Sequence, residues 1–161
     1  MSAFTGSPTG STEYNKQTGT VQGGVSFQER LHMRRFNYTH AAGAGTGEIN
    51  LLILPAGNIT IISELSRRAS SQFAASADLH LGYRAYTEPD GDAVVADDNA
   101  FGDNEDAGGG ALTHAAWTLP AAPGLTSIDS RSGLTLYAMV DSGNIEDGDT
   151  ITGWVVWAEA V

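Results

Sequence analysis

Gly133-Leu-Thr-Leu-Tyr-Ala-Met-Val140, Asp141-Ser-Gly-Asn-Ile-Glu-Asp-Gly-Asp149 and Thr150-Ile-Thr-Gly-Trp-Val-Val-Trp-Ala-Glu159 follow one another near the end of the chain. Two runs of apolar, β-branched and aromatic residues flank a polar, Gly-containing connection. That pattern predicts two antiparallel strands joined by a long hairpin loop, lying centrally in one sheet. On the first strand Leu134, Leu136, Ala138 and Val140 share a face, opposite Thr135, Tyr137 and Met139. On the last, Trp154 and Trp157 are three residues apart and so point to opposite faces of a regular strand. One of them belongs to the core. The other faces a second sheet or a neighbouring subunit, which makes Trp154 and Trp157 the candidate subunit-interface residues.

Working outward, the same alternation recurs. Residues 48–54 read as a strand, Pro55-Ala-Gly-Asn58 as a turn and residues 59–65 as the returning strand of a hairpin. Residues 66–76 are small and polar, with Arg67 and Arg68 near the start. In residues 77–86 Leu79, Leu81, Tyr83 and Ala85 alternate with Asp78, His80, Arg84 and Tyr86, the mark of a half-buried strand. Residues 87–110 read as an acidic loop. Strands follow at 112–119, carrying Trp117, and at 125–131, separated by a Pro/Gly turn. About seven strands with regular turn signals and no long helix predict an all-β fold: an antiparallel β-sandwich or jelly-roll-like body over residues 48–161. A body of this size buries enough apolar surface, at roughly 25 cal/mol per Å², to fold alone.

Residues 1–47 differ. Residues 1–24 are rich in Ser, Thr and Gly, residues 25–40 alternate with a slip near Glu29, and residues 41–47 form a small-residue linker with three Gly. This reads as an extended N-terminal arm, with too little apolar surface to offset about 1–2 kcal/mol of backbone ordering per residue. The arm is expected to order against another molecule. Its contact residues are Arg30, Leu31, Met33, Arg34, Arg35, Phe36 and Tyr38. The partner they suit is an acidic protein surface, with guanidinium forks on carboxylates and apolar side chains in grooves. The competing reading is that this segment starts the sheet of its own body.

Charge narrows the partners further. The chain has 161 residues and a formal net charge of −11. Residues 1–40 hold four basic residues against two acidic, whereas residues 41–161 hold four against seventeen. An acidic body repels nucleic acid and anionic membrane, so neither is an expected partner. No run of 18 apolar residues is present, and residues 1–10 lack the basic start and apolar core of a secretory signal. Synthesis in the cytoplasm is expected. With no Cys, disulfides and Cys-based zinc sites are excluded.

The groupings that suggest chemistry are weak. Glu88, Asp90 and Asp92 alternate as in a calcium loop, but Ala93 stands where the sharp turn needs Gly. His32, His40, His80 and His114 form no local metal pair, although His80 and His114 are candidates to meet across strands. No Gly-x-Ser-x-Gly is present, and Gly43-x-Gly45-x-Gly47 precedes a strand instead of following one. No catalytic residue, metal or cofactor is expected, and the chain is not expected to be an enzyme. Trp117, Trp154 and Trp157 make a poor flat platform for a sugar, because the last two diverge.

Leu81-Gly-Tyr83, Tyr86-Thr-Glu-Pro-Asp-Gly91, Ala93-Val-Val-Ala-Asp97, Ser132-Gly-Leu-Thr-Leu136 and Asp147-Gly-Asp-Thr-Ile151 resemble small virion proteins of tailed bacteriophages, particularly phages of marine bacteria. The resemblance covers roughly residues 48–161. It implies a β-sandwich or jelly-roll decoration (cement) protein, an oligomer and often a trimer. Such a protein sits on the outside of the head and clamps neighbouring major capsid proteins. It implies no catalytic or contact residue by transfer. On this reading, deletion of residues 1–40 leaves a folded body that no longer binds heads. A tail, fibre or host-recognition module that binds glycan is the alternative.

Overall fold

The computed structural model describes residues 3–6, 30–41, 43–113, 115–117 and 125–159. Among these, every regular element is a strand: β1 (Ala3–Gly6), β2 (Arg30–Thr39), β3 (Gly45–Leu54), β4 (Gly57–Ile62), β5 (Arg67–Ser70), β6 (Asp78–Tyr83), β7 (Tyr86–Thr87), β8 (Ala93–Val94), β9 (Asp97–Asp106), β10 (Ala115–Ala116), β11 (Leu125–Ser130), β12 (Leu134–Ile145) and β13 (Thr150–Glu159). One sheet has the order β1-β3-β12-β6-β9. The second has the order β10-β5-β13-β4-β11, with β2 on the other edge of β13. β7 and β8 pair only with each other. The all-β expectation holds, with the antiparallel pairing of a sandwich. The exception is β1, which runs parallel to β3.

The chain changes sheet at most of its connections. β2, β4, β5, β10, β11 and β13 lie in one sheet and β1, β3, β6, β9 and β12 in the other. Both expected hairpins are therefore corrected. β12 and β13, the two terminal strands, do not pair. β12 lies between β3 and β6, and β13 lies between β2 and the β4/β5 line. Each is central, but in its own sheet. Residues 48–65 divide in the same way, β3 into one sheet and β4 into the other. Alternation specifies which face of a strand is buried; it does not specify which strand lies beside it. The polar connection also shortens. β12 runs to Ile145, and a tight turn through Gly148 (φ 88°) leads straight into β13. Asp149 holds that turn, accepting from the Glu146 amide at 2.8 Å and from the Ser71 hydroxyl at 2.8 Å.

The expected arm is corrected at both ends. Ala3–Gly6 is β1, and Arg30–Thr39 is β2, paired with β13 along ten residues without a register shift. Phe36 and Tyr38 enter the core. Once a ladder with β13 is available, its hydrogen bonds and the burial of these rings offset the ordering cost that makes the segment look unfoldable alone. Gly153 fits the same contact. A Cβ there would lie 2.6 Å from the Phe36 ring and 2.2 Å from the Arg67 carbonyl oxygen. Deleting residues 1–40 would strip β13 of its ladder on one edge and the core of Phe36 and Tyr38, so the expectation of an intact body no longer stands. Residues 7–29 lie outside the described residues.

β4 and β5 run along the same edge of β13, separated by a turn at residues 63–66. Side chains fill that break in the ladder. Ser66 Oγ accepts from the Val156 amide at 3.0 Å and donates to the Ile62 carbonyl at 2.9 Å. Trp154 Nε1 donates to the Leu65 carbonyl at 2.8 Å.

The core lies between the two sheets. The inward residues of β12, Leu134, Leu136, Ala138 and Val140, are buried as expected. Ile59, Ile61, Ile151, Val155 and Trp157 meet them from the other sheet. Phe101 packs against Trp117, with ring centroids 5.2 Å apart, and against Tyr83 at 6.0 Å. Arg68 joins the sheets: its side chain is 2% exposed. Nη1 donates to the Phe101 carbonyl at 2.9 Å, and Nη2 pairs with Glu105. Burial lowers the pKa of this guanidinium from its ordinary value, and Glu105 works in the opposite direction. Gly102 leaves room beside it: a Cβ there would lie 2.8 Å from Nη1, so the guanidinium would have to shift.

Two further stretches are corrected by this pairing. Residues 66–76 hold a strand, β5, with Arg68 and Ser70 inward. The acidic loop holds β9, ten residues long. Removing Arg68 leaves Glu105 and the Phe101 carbonyl without their partner. Arg68→Ala should cost about 3–5 kcal/mol in urea unfolding, whereas Arg67→Ala, on the outward side of the same strand, should change stability by about 0.5 kcal/mol or less. Equal losses would show that the inter-sheet pair is not what matters.

Candidate interaction surfaces

The register of each strand sorts its side chains onto an inner and an outer face. On β2, His32, Phe36, Tyr38 and His40 are buried and Leu31, Arg35, Asn37 and Thr39 are exposed. Of the expected contact residues, Leu31 (47% exposed), Met33 and Arg35 therefore lie on the outer face. Arg34 donates to the Ile53 carbonyl on β3, across the sandwich. Phe36 and Tyr38 are used by the chain's own core, which corrects their reading as contacts of a free arm. Arg30 pairs in register with Glu159 at the start of β2.

The two tryptophans of β13 separate as their spacing requires. Trp157 is 5% exposed and stacks on His32, with centroids 5.2 Å apart and an interplanar angle of 17°. It is a core residue, so its reading as an interface candidate is corrected. Trp154 is half-buried on the outer face, beside Arg67 in the register of β5. Leu31, Met33, Arg35, Trp154, Arg67 and the exposed Leu65 give this side of the molecule an apolar and basic surface. Trp117 is buried against Phe101 and offers no ring to a sugar.

The outer face of the other sheet is acidic. Glu48 on β3, Asp78 and His80 on β6, and Tyr137, Met139 and Asp141 on β12 share it by register. His80 is buried between two carboxylates, with Nδ1 3.3 Å from Asp103 Oδ1 and Nε2 3.3 Å from Asp141 Oδ1. Arg84 pairs with Glu48, donates from Nε to Asn50 Oδ1 at 3.0 Å and covers the Tyr137 ring with its guanidinium carbon 4.1 Å from the centroid. The expected meeting of His80 with His114 lies outside the described residues. Among the described residues, no three His, Asp or Glu side chains converge to hold a metal ion. Asp90 instead accepts from the Asp92 amide at 3.0 Å within its own turn.

Sequence reasoning missed Arg68 and the His80 carboxylate pair. In β5, buried Arg68 and Ser70 alternate with half-buried Arg67 and Ala69, but Ser66-Arg-Arg-Ala-Ser70 has no apolar alternation that marks this in the sequence. Nothing local marks Glu105 or Asp103 as partners.

Tyr137 carries a pH dependence. Burial, with Asp98 and Glu48 adding to it, pushes its phenol up to about 12. The unfolded phenol titrates near 10, so between these values the unfolded state sheds the proton first and stability falls as pH rises. A loss of about 2–3 kcal/mol by pH 12 is expected for the wild type relative to Tyr137→Phe. Parallel stability–pH curves for the two proteins would contradict it.

No family model matches the chain, and no curated protein matches it. Among solved structures, a chain of the cyanophage Pam1 capsid asymmetric unit matches with a TM-score of 0.51 and 13% sequence identity, covering 89% of this chain and 95% of that one. At that identity the likeness is one of fold.

Proposed function

We propose that this protein is a structural component of a phage virion that binds the outside of the capsid and stabilises it by clamping neighbouring major capsid proteins. The observation that carries this reading is the fold shared, over nearly the whole of both chains, with a chain of the Pam1 capsid asymmetric unit. The described residues supply surfaces suited to contact: a long basic strand at one edge and two outer faces of opposite character. Leu31, Met33 and Arg35, with Arg30 and Arg34 of the same strand, are the capsid-contact residues of this reading.

The two outer faces also support self-association. One presents Arg35, Arg67 and Trp154, the other Glu48, Asp78, Asp103 and Asp141. Unlike faces on one molecule suit a heterologous contact, which gives a closed oligomer only where the rotation between copies closes; a homotrimer is the proposed form. Multivalent attachment then strengthens weak single contacts. The acidic body disfavours nucleic acid and membrane as partners. The protein acts without catalysis or cofactor, is made in the host cytoplasm and resides on the capsid surface.

Heads assembled without this protein provide the test. Saturable co-sedimentation and a higher temperature of head disruption are expected; no binding would overturn the reading. Trp154→Glu should give folded monomers by light scattering with an unchanged circular dichroism spectrum. A persistent trimer would remove Trp154 from the interface.

A further inference from the structure

Among the described residues, the six-stranded sheet ends on β2. An unpaired strand edge offers a row of free backbone groups, and proteins blunt such edges by keeping them short, bulged or interrupted by Pro. Among the described residues, the edge strands β1, β10 and β11 have four, two and six residues, and β9 is irregular in register at two places. β2 has ten residues, contains neither Pro nor Gly, and pairs with β13 without a shift. Among the described residues no strand lies on its other side.

The direction of its backbone groups follows from the ladder. The His40 amide donates to the Asp149 carbonyl at 2.7 Å, just beyond the last strand pair, Thr39 with Thr150. Antiparallel pairs alternate between those that exchange hydrogen bonds and those that do not. Phe36, Arg34 and His32 therefore turn their backbone groups toward β13. Leu31, Met33, Arg35, Asn37 and Thr39 turn theirs to the free edge. The far side of β13 agrees, since the Val156 amide there points away from β2 to Ser66 Oγ.

Space and charge beside this edge match an incoming strand. The opposite sheet continues past β3 with β1, while the sheet containing β2 stops one strand short. A cavity of about 460 Å³ opens there between the sheets, lined by His32, Arg34, Ile53, Pro55 and Trp157 among others. Ile53, at 59% exposed, is the most exposed isoleucine of the described core strands. β2 contains Arg30, Arg34 and Arg35 and no acidic residue. The carboxylate at the cavity, Glu159, lies 3.4 Å from His32 Nε2.

We propose that the free edge of β2 accepts an extended acidic segment of the capsid protein as an added strand. This rests on the capsid reading above and names its mode of contact. Main-chain hydrogen bonds to residues 31, 33, 35, 37 and 39 supply the affinity, and alternate side chains supply the specificity. Apolar side chains enter the cavity on one face, and on the other a carboxylate meets Arg35, which the strand turns outward. A second copy is the poorer occupant. Edge-to-edge pairing of β2 with itself sets six arginines together, and β9, the acidic edge, is too irregular to extend a ten-residue ladder.

Proline at an outward position tests this, because it deletes an N–H that the fold itself does not use. Asn37→Pro and Met33→Pro should keep the wild-type circular dichroism spectrum and lower affinity for assembled heads at least tenfold. Asn37→Ala should leave affinity unchanged. Folded proline variants that bind heads like the wild type would overturn the added strand while leaving the capsid reading intact. If the wild type binds no heads, the capsid reading and this proposal fail together, and a synthetic ten-residue peptide alternating Asp and Val then shows whether the edge pairs with strands at all. If the proline variants do not fold, hydrogen exchange on the wild type decides. The amides of Leu31, Met33, Arg35 and Asn37 should slow on adding heads, and unchanged exchange would overturn the proposal. Slowing that depends on protein concentration without heads would assign the edge to a second copy and overturn it as well.

Discussion

A cation held between two sheets is the constraint from which much of this fold follows. Arg68 points inward from β5 toward a core built mainly of aliphatic and aromatic side chains. A buried guanidinium is costly unless its donors are met. The Phe101 carbonyl takes Nη1 and the Glu105 carboxylate takes Nη2, and both belong to β9 on the opposite sheet. In this arrangement Phe101 packs on Trp117, and Gly102 leaves room for the guanidinium. The arrangement also turns an acidic stretch that has every compositional reason to be a solvated loop into a strand.

The same logic disposes of the other charges nearby. Asp103 and Asp141 stand on either side of His80, and Glu48 is paired with Arg84, which in turn shields Tyr137. Carboxylates facing out from three adjacent strands are tolerated because cationic or hydrogen-bonding groups lie between them. The opposite outer face has a different composition, with Trp154, Leu31 and Leu65 beside Arg35 and Arg67. A single chain thus carries an acidic face and an apolar, basic one, separated by the thickness of a sandwich.

What the sequence shows follows from what alternation measures. Leu134, Leu136, Ala138 and Val140 are inward as read, and Trp154 and Trp157 diverge as three-residue spacing demands. Alternation reports the face of a strand, so face assignments survive. It is silent on neighbours, so both hairpins were misread: β12 and β13 share a turn but no ladder. Arg68 was illegible for a related reason. Nothing in Ser66-Arg-Arg-Ala-Ser70 shows which arginine turns inward, and the partner of Arg68 lies 37 residues away. The arm failed differently. Judged alone, residues 30–39 bury too little to fold, and the calculation omits the ten-residue ladder that β13 offers.

That last error changes how the molecule would engage a partner. A disordered arm that folds on contact must lose its conformational freedom at that moment, which lowers affinity for a given contact area. β2 has already lost it, because Phe36 and Tyr38 lock one face into the core and β13 fixes its backbone. Its free edge is preorganised, so only the incoming segment has to be ordered. The same residues that close the sandwich from inside thereby hold a row of donors and acceptors straight on the outside. Stability and recognition are coupled through one strand: a change that loosens Phe36 against Gly153 would blur the edge without touching a single group on it.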